Sequence, residues 1–138
     1  MKNYTIRTEQ PRDFKTVENL TREAFWNVYR PGCTEHYVLH CYRSEPDFVP
    51  ELSLVLEVDG EIIGHVMYAW SHIDADDPES DAPYFLCKEL QEGFLDGITG
   101  SYRDPEPYFV AMRNPEAFEK YDAEFPPKEK LVLPGQLG

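Results

Sequence analysis

The chain has 138 residues, 41% of them hydrophobic and 14% aromatic, which suits one globular domain with a modest core and excludes a disordered chain. Its 26 acidic against 13 basic residues leave a net charge of -13, which excludes nucleic acid and a membrane surface as partners; the acidity serves a cationic ligand such as an amine, or solubility alone. No run reaches the roughly 18 apolar residues of a membrane span, the opening MKNYTIRTEQ is no signal peptide, and the odd, scattered Cys33, Cys41 and Cys87 read as reduced thiols of a cytoplasmic protein.

In chain order, YTIRTEQ alternates Tyr4, Ile6 and Thr8 and predicts an opening strand. Phe14, Val17, Leu20, Ala24, Phe25 and Val28 then recur at helical spacing, with Lys15, Glu18, Asn19 and Arg22 on the other face. Pro11 suits the entry of this helix, and Arg30 to Gly32 stops it. TEHYVLHCYRSEP predicts a second helix with Thr34 as N-cap, Glu35 in the first turn and Pro46 as its limit. ELSLVLEV turns Leu52, Leu54, Leu56 and Val58 inward, Asp59-Gly60 is a hairpin turn, and EIIGHVMYAW returns as the partner strand. That strand is apolar on both faces, so it is expected to be covered on both sides or to lie centrally in its sheet. Tyr68, Trp70 and His72 share one of its faces, an association surface if its edge lies open.

The acidic join SHIDADDPESDA has no apolar periodicity, and its stretch from Asp74 to Ala82 spans at most about 30 Å. PYFLCKEL predicts another strand, GFLDGITGSY is punctuated by glycine, and PEPYFV predicts an edge strand whose prolines donate to no ladder. NPEAFEKYDAEF predicts one or two helical turns anchored by Phe118, Tyr121 and Phe125, and the tail docks through Leu131 and Leu133. The expected fold class is α+β: a mostly antiparallel sheet with two N-terminal helices packed on it, in one domain of residues 1–138.

The stretch LTREAFWNVYRPGCTEHYVLHCYRSEPDFVPELSLVLEVDGEIIGHVMY resembles the opening of the GCN5-related N-acetyltransferases (GNAT), in particular a bacterial YhbS-like subgroup. KELQEGFLDGITGSY and FPPKEK resemble the closing segment of that subgroup. The likeness implies a truncated GNAT-like fold with an N-terminal half at 1–73, an acidic join at 74–82 in place of the cofactor-binding core, and C-terminal strands and tail at 83–138. Such proteins bind acetyl-CoA through a Gln/Arg-x-x-Gly-x-Gly/Ala loop, whose amides at a helix N-terminus cradle the pyrophosphate. No such loop stands in this sequence. GFLDGITG has the glycines Gly93, Gly97 and Gly100, but no Gln or Arg leads it, no amphipathic helix follows, and Asp96 would repel a phosphate. No cofactor-binding residue is assigned.

His36 and His40 stand at i and i+4 near Cys33 and Cys41, a spacing that can serve a metal but lacks further ligands and the acid of HExxH; no metal ligand is assigned. By the resemblance, Trp26, Tyr29, Glu35, His36 and Tyr37 line the acceptor-amine side of the cleft. Glu35 or His36 would deprotonate an ammonium there, and the aromatics would hold it. The plainer alternative makes Trp26 and Tyr37 core and Glu35 a complement to the helix dipole. The expected function is an acetyltransferase-like protein that is catalytically impaired or is a non-catalytic binding module. The alternative is an acetyl-CoA-dependent N-acetyltransferase acting on a small amine, its cofactor site completed by another chain. Open sheet edges point to a homo-oligomer.

Overall fold

Asp59 and Gly60 both adopt positive φ, 50° and 88°, the backbone of a two-residue hairpin whose twist matches its strands. In this computed structural model they fold β2 (Leu54–Val58) back onto β3 (Glu61–Val66). The structure describes residues 3–71, 73–74, 91–93, 96–97, 101–102 and 104–137. Strand β1 (Tyr4–Thr8) pairs with the other side of β2, so the sheet has the order β1-β2-β3, antiparallel throughout. The register shifts between Leu56 and Glu57, where a bulge meets Gly64. A Cβ on Gly64 would lie 3.3 Å from that of Leu56, so a side chain there would require its neighbour to give by a few tenths of an ångström.

Between β1 and β2 run helix α1 (Phe14–Phe25) and helix α2 (Glu35–Tyr42). Pro11–Asp13 forms a 3-10 turn at the entry, with Asp13 accepting from the Gln10 amide. Helix α1 ends at Phe25, short of the predicted stop, because Trp26 is extended and Asn27 turns left-handed at φ 60°. Val28 is accordingly outside the helix and exposed. Thr34 makes no side-chain cap; the Glu35 carboxylate accepts from the Thr34 amide instead, at 2.8 Å. Together the helices and the three-stranded antiparallel sheet make an α+β architecture.

The inner face of the sheet differs from the expectation. Val55, fully buried, packs with Val17 of α1 and Leu39 of α2, with Ile62 and Met67 against them. Leu54, Leu56 and Val58 lie on the opposite face, and Leu52 is exposed in the 3-10 turn Pro50–Leu52. Nor, among the described residues, does β3 lie centrally. It ends the strand order, and Ile63, Val66 and Tyr68 are exposed.

PEPYFV is not a strand. Glu106–Phe109 is a 3-10 turn leading into α3 (Val110–Arg113), because the φ that proline fixes suits a helical first turn as well as a strand edge. Asn114 then caps α4 (Pro115–Asp122) by accepting from the Ala117 amide. Tyr121 and Phe125 join Tyr37 and Ala111 in a second cluster, with Phe118 packed against it. The tail docks by polar contacts, and Leu131 and Leu133 stay exposed.

These elements form one compact unit, Met1–Trp70 with Pro105–Gly138. The second unit, Ser71–Asp104, contains β4 (Ile73–Asp74) paired antiparallel with β5 (Ser101–Tyr102), and a turn at Gly93–Asp96. The predicted strand PYFLCKEL, His72 and most of the acidic join lie outside the described residues. Among the described residues, no helix is long and apolar enough to cross a membrane.

Candidate functional site

Helix α1 was expected to turn Glu18 and Arg22 to solvent, yet both are buried. Helix α1 packs on the sheet and on Leu39 of α2 through Val17, while Glu18 and Arg22 meet charged partners on other elements, so its polar stripe builds two charged clusters inside the molecule.

The first joins β1, α1, α2 and β3. The Arg43 guanidinium donates to Glu9 Oε1 and to Glu18 Oε1, each at 2.6 Å. Ser53 Oγ donates to Glu9 Oε2 at 2.8 Å, and His65 Nε2 lies 3.2 Å from Ser53 Oγ and 3.6 Å from Glu9 Oε1. His40 Nδ1 is 3.0 Å from Glu18 Oε1, at the rim. Burial opposes the charge of Glu9, but the neighbouring His65, Arg43 and Ser53 outweigh it and hold the carboxyl down at about 2. The Tyr121 hydroxyl is buried near the Glu18 carboxylate without a hydrogen bond of good geometry, and burial followed by that carboxylate raises its pKa.

The second cluster has the sequence of contacts found in a nucleophile–base–acid triad. Cys33 Sγ lies 3.4 Å from His36 Nδ1, and His36 Nε2 lies 3.1 Å from Asp122 Oδ1. Its environment opposes that use. Burial, then the charge of Glu35, pushes the Cys33 thiol up to about 12, so no thiolate forms near neutrality. Burial holds His36 down to about 4 against the pull of Asp122. The Asp122 carboxylate is engaged by Arg22 Nε at 2.7 Å, and its contact with His36 Nε2 is too poorly aligned to satisfy that nitrogen. His36 is 0% exposed, enclosed by Phe118, Tyr121 and Phe125 at ring distances of 6.0, 5.6 and 5.1 Å. Buried and held as a thiol, Cys33 is poorly placed to act as a nucleophile; the contacts lock α4 onto α1 and α2.

The five residues expected around an acceptor amine are placed differently from one another. The Trp26 face already carries the Arg22 guanidinium at 4.2 Å, with the Lys128 ammonium 5.4 Å away, and its Nε1 donates to the Glu129 carbonyl. Tyr29 is exposed, and its carbonyl accepts from the Leu137 amide. Glu35 bonds its own helix start. His36 is sealed, and Tyr37 is buried against His40, Phe118 and Tyr121. His36 and His40 face separate carboxylates, Asp122 and Glu18. Among the described residues, no group of three or more His, Cys, Asp and Glu side chains could hold a metal ion.

No family model matches the chain, and no curated protein or solved structure is significantly similar to it. The residues that sequence reasoning missed are Glu9, Arg43, Ser53, His65 and Asp122. The pair Glu18 and Arg22, at i and i+4 beside Val17, was the one available signal.

Proposed function

We propose that this chain is a GNAT-like domain that has lost its acetyl-CoA pyrophosphate loop and acts as a non-catalytic binding module. The order β1-α1-α2-β2-β3, closed by an antiparallel hairpin, is the order the resemblance implies for the front of that fold. One observation carries the non-catalytic part: every acceptor-side group except Tyr29 is committed within the chain, with His36 buried and the Trp26 face already holding Arg22. The cofactor side is no better provided. The Asp96 amide bonds the Gly93 carbonyl at 3.3 Å, and an Asp96 carboxylate oxygen lies 3.5 Å from where a Gly93 Cβ would stand. A carboxylate beside Gly93 opposes a pyrophosphate there. The free thiols Cys33 and Cys41 support a reducing, cytoplasmic setting.

The test is calorimetry with acetyl-CoA at millimolar concentration, together with an assay for released thiol in the presence of small primary amines. The expected result is no saturable heat and no thiol release. Saturable binding with amine-dependent release would establish the acetyltransferase reading instead.

A further inference from the structure

The sheet presents two faces of unequal fate. Register places Tyr4 beside Val58 and Glu61, Ile6 beside Leu56 and Gly64, and Thr8 beside Leu54 and Val66, all on the side away from α1 and α2. Glu61, next to the hairpin turn, is the one charged residue among them, on a chain that carries 26 acids. Tyr4 is 71% exposed, Ile6 64%, Tyr68 52% and Val66 43%, with Ile63 of the bulge beside them. Aromatic and branched side chains at such exposure offer on the order of 600 Å² of contiguous apolar surface, at the upper limit for a monomer.

The outer edge of β3 is the competing surface. The Glu9 amide bonds the Ser53 carbonyl, so Ser53 faces β1 and the next residue, Leu54, faces β3. Val66, opposite Leu54, therefore turns its peptide groups inward, and those of His65 and Met67 point to the outer edge. Among the described residues no strand pairs there.

We propose that the largely apolar outer face of the sheet docks on the same face of a second copy of this chain, as a two-fold sheet-on-sheet dimer. This proposal is independent of the acetyltransferase resemblance. Two observations select a second copy. The area of the face approaches the roughly 800 Å² that each partner gives to a stable interface. A two-fold axis sets the apolar face against itself, which needs no complementary surface elsewhere. The -13 charge of each copy opposes association, so screening by salt strengthens the dimer, whereas it would weaken the grip on a cationic partner.

Sedimentation equilibrium of the full chain tests this across protein concentration, at low and high sodium chloride. The expected mass rises from 16.1 kDa toward twice that value with concentration, and further with salt. Ile6→Asp is expected to keep its circular dichroism and remain a monomer throughout; if it does not fold, Val66→Lys replaces it. A wild-type monomer at millimolar concentration would overturn the proposal, as would a dimer that survives a folded face variant or weakens with salt. Hydrogen exchange separates face from edge: the His65 and Met67 amides should exchange equally in monomer and dimer, and their slowing on dimerisation would assign the interface to the edge.

Discussion

Arg43 stands between two carboxylates that have almost no contact with water, and this sets the cost of losing it. Arg43→Met leaves Glu9 and Glu18 as buried anions without their counter-charge, and urea unfolding should show a loss of about 3–5 kcal/mol. Adding Glu18→Gln removes one of the two anions and should recover part of the loss. His36 governs a different window. The folded state withholds a proton that the unfolded chain binds near the ordinary histidine value of 6.5, since burial holds the folded pKa at about 4. Stability is therefore full above pH 6.5 and declines as pH falls toward 4, by on the order of 3 kcal/mol. Glu9, depressed from 4.5 to about 2, adds a further decline only below pH 4.5. In thermal unfolding against pH, His36→Phe should flatten the upper slope and leave the lower one. Helical spacing in the sequence assigns these charges wrongly. It finds Val17 and consigns Glu18 and Arg22 to solvent, because the partner that draws Arg22 inward is 100 residues away and no local pattern encodes it.

At the scale of elements, sequence pattern located β1, both N-terminal helices, the hairpin turn and α4, each marked by periodicity or by a capping or turn residue. It misassigned β2, because a period of two says which residues share a face and not which face is covered; Val55 went inward rather than Leu54, Leu56 and Val58. The acceptor-side residues were legible as a group near the α1–α2 junction, but their confinement was not, since it comes from α4 and the tail packing over them. The tail contacts are set by Asn27. Its Oδ1 accepts from the Gly32 and Leu131 amides, its Nδ2 donates to the Glu129 carbonyl, and its own carbonyl accepts from Gln136. Asn27→Ala removes the side-chain bonds at a position where φ is 60°, and a loss of about 1–2 kcal/mol is expected. Hydrogen exchange should quicken at the Leu131 and Leu137 amides and stay unchanged at Val55.

For the whole molecule, the proposed dimer has modest energetics. The two faces together take about 1,200 Å² of surface out of water, the lower limit for a specific, stable interface. Association alone costs about 4–15 kcal/mol, before the repulsion of two chains at -13 each. The expected association is accordingly reversible and sensitive to concentration. One further property follows from the main unit being assembled from two stretches, Met1–Trp70 and Pro105–Gly138. The Asn27 contacts, the Arg22–Asp122 pair and the aromatic cluster fasten these stretches directly to each other. Closing a connecting loop of twice the length costs only about 0.6 kcal/mol more. The span between Trp70 and Pro105 is thus a site where whole cassettes can be exchanged, lengthened or trimmed by evolution while the host that carries them keeps its shape.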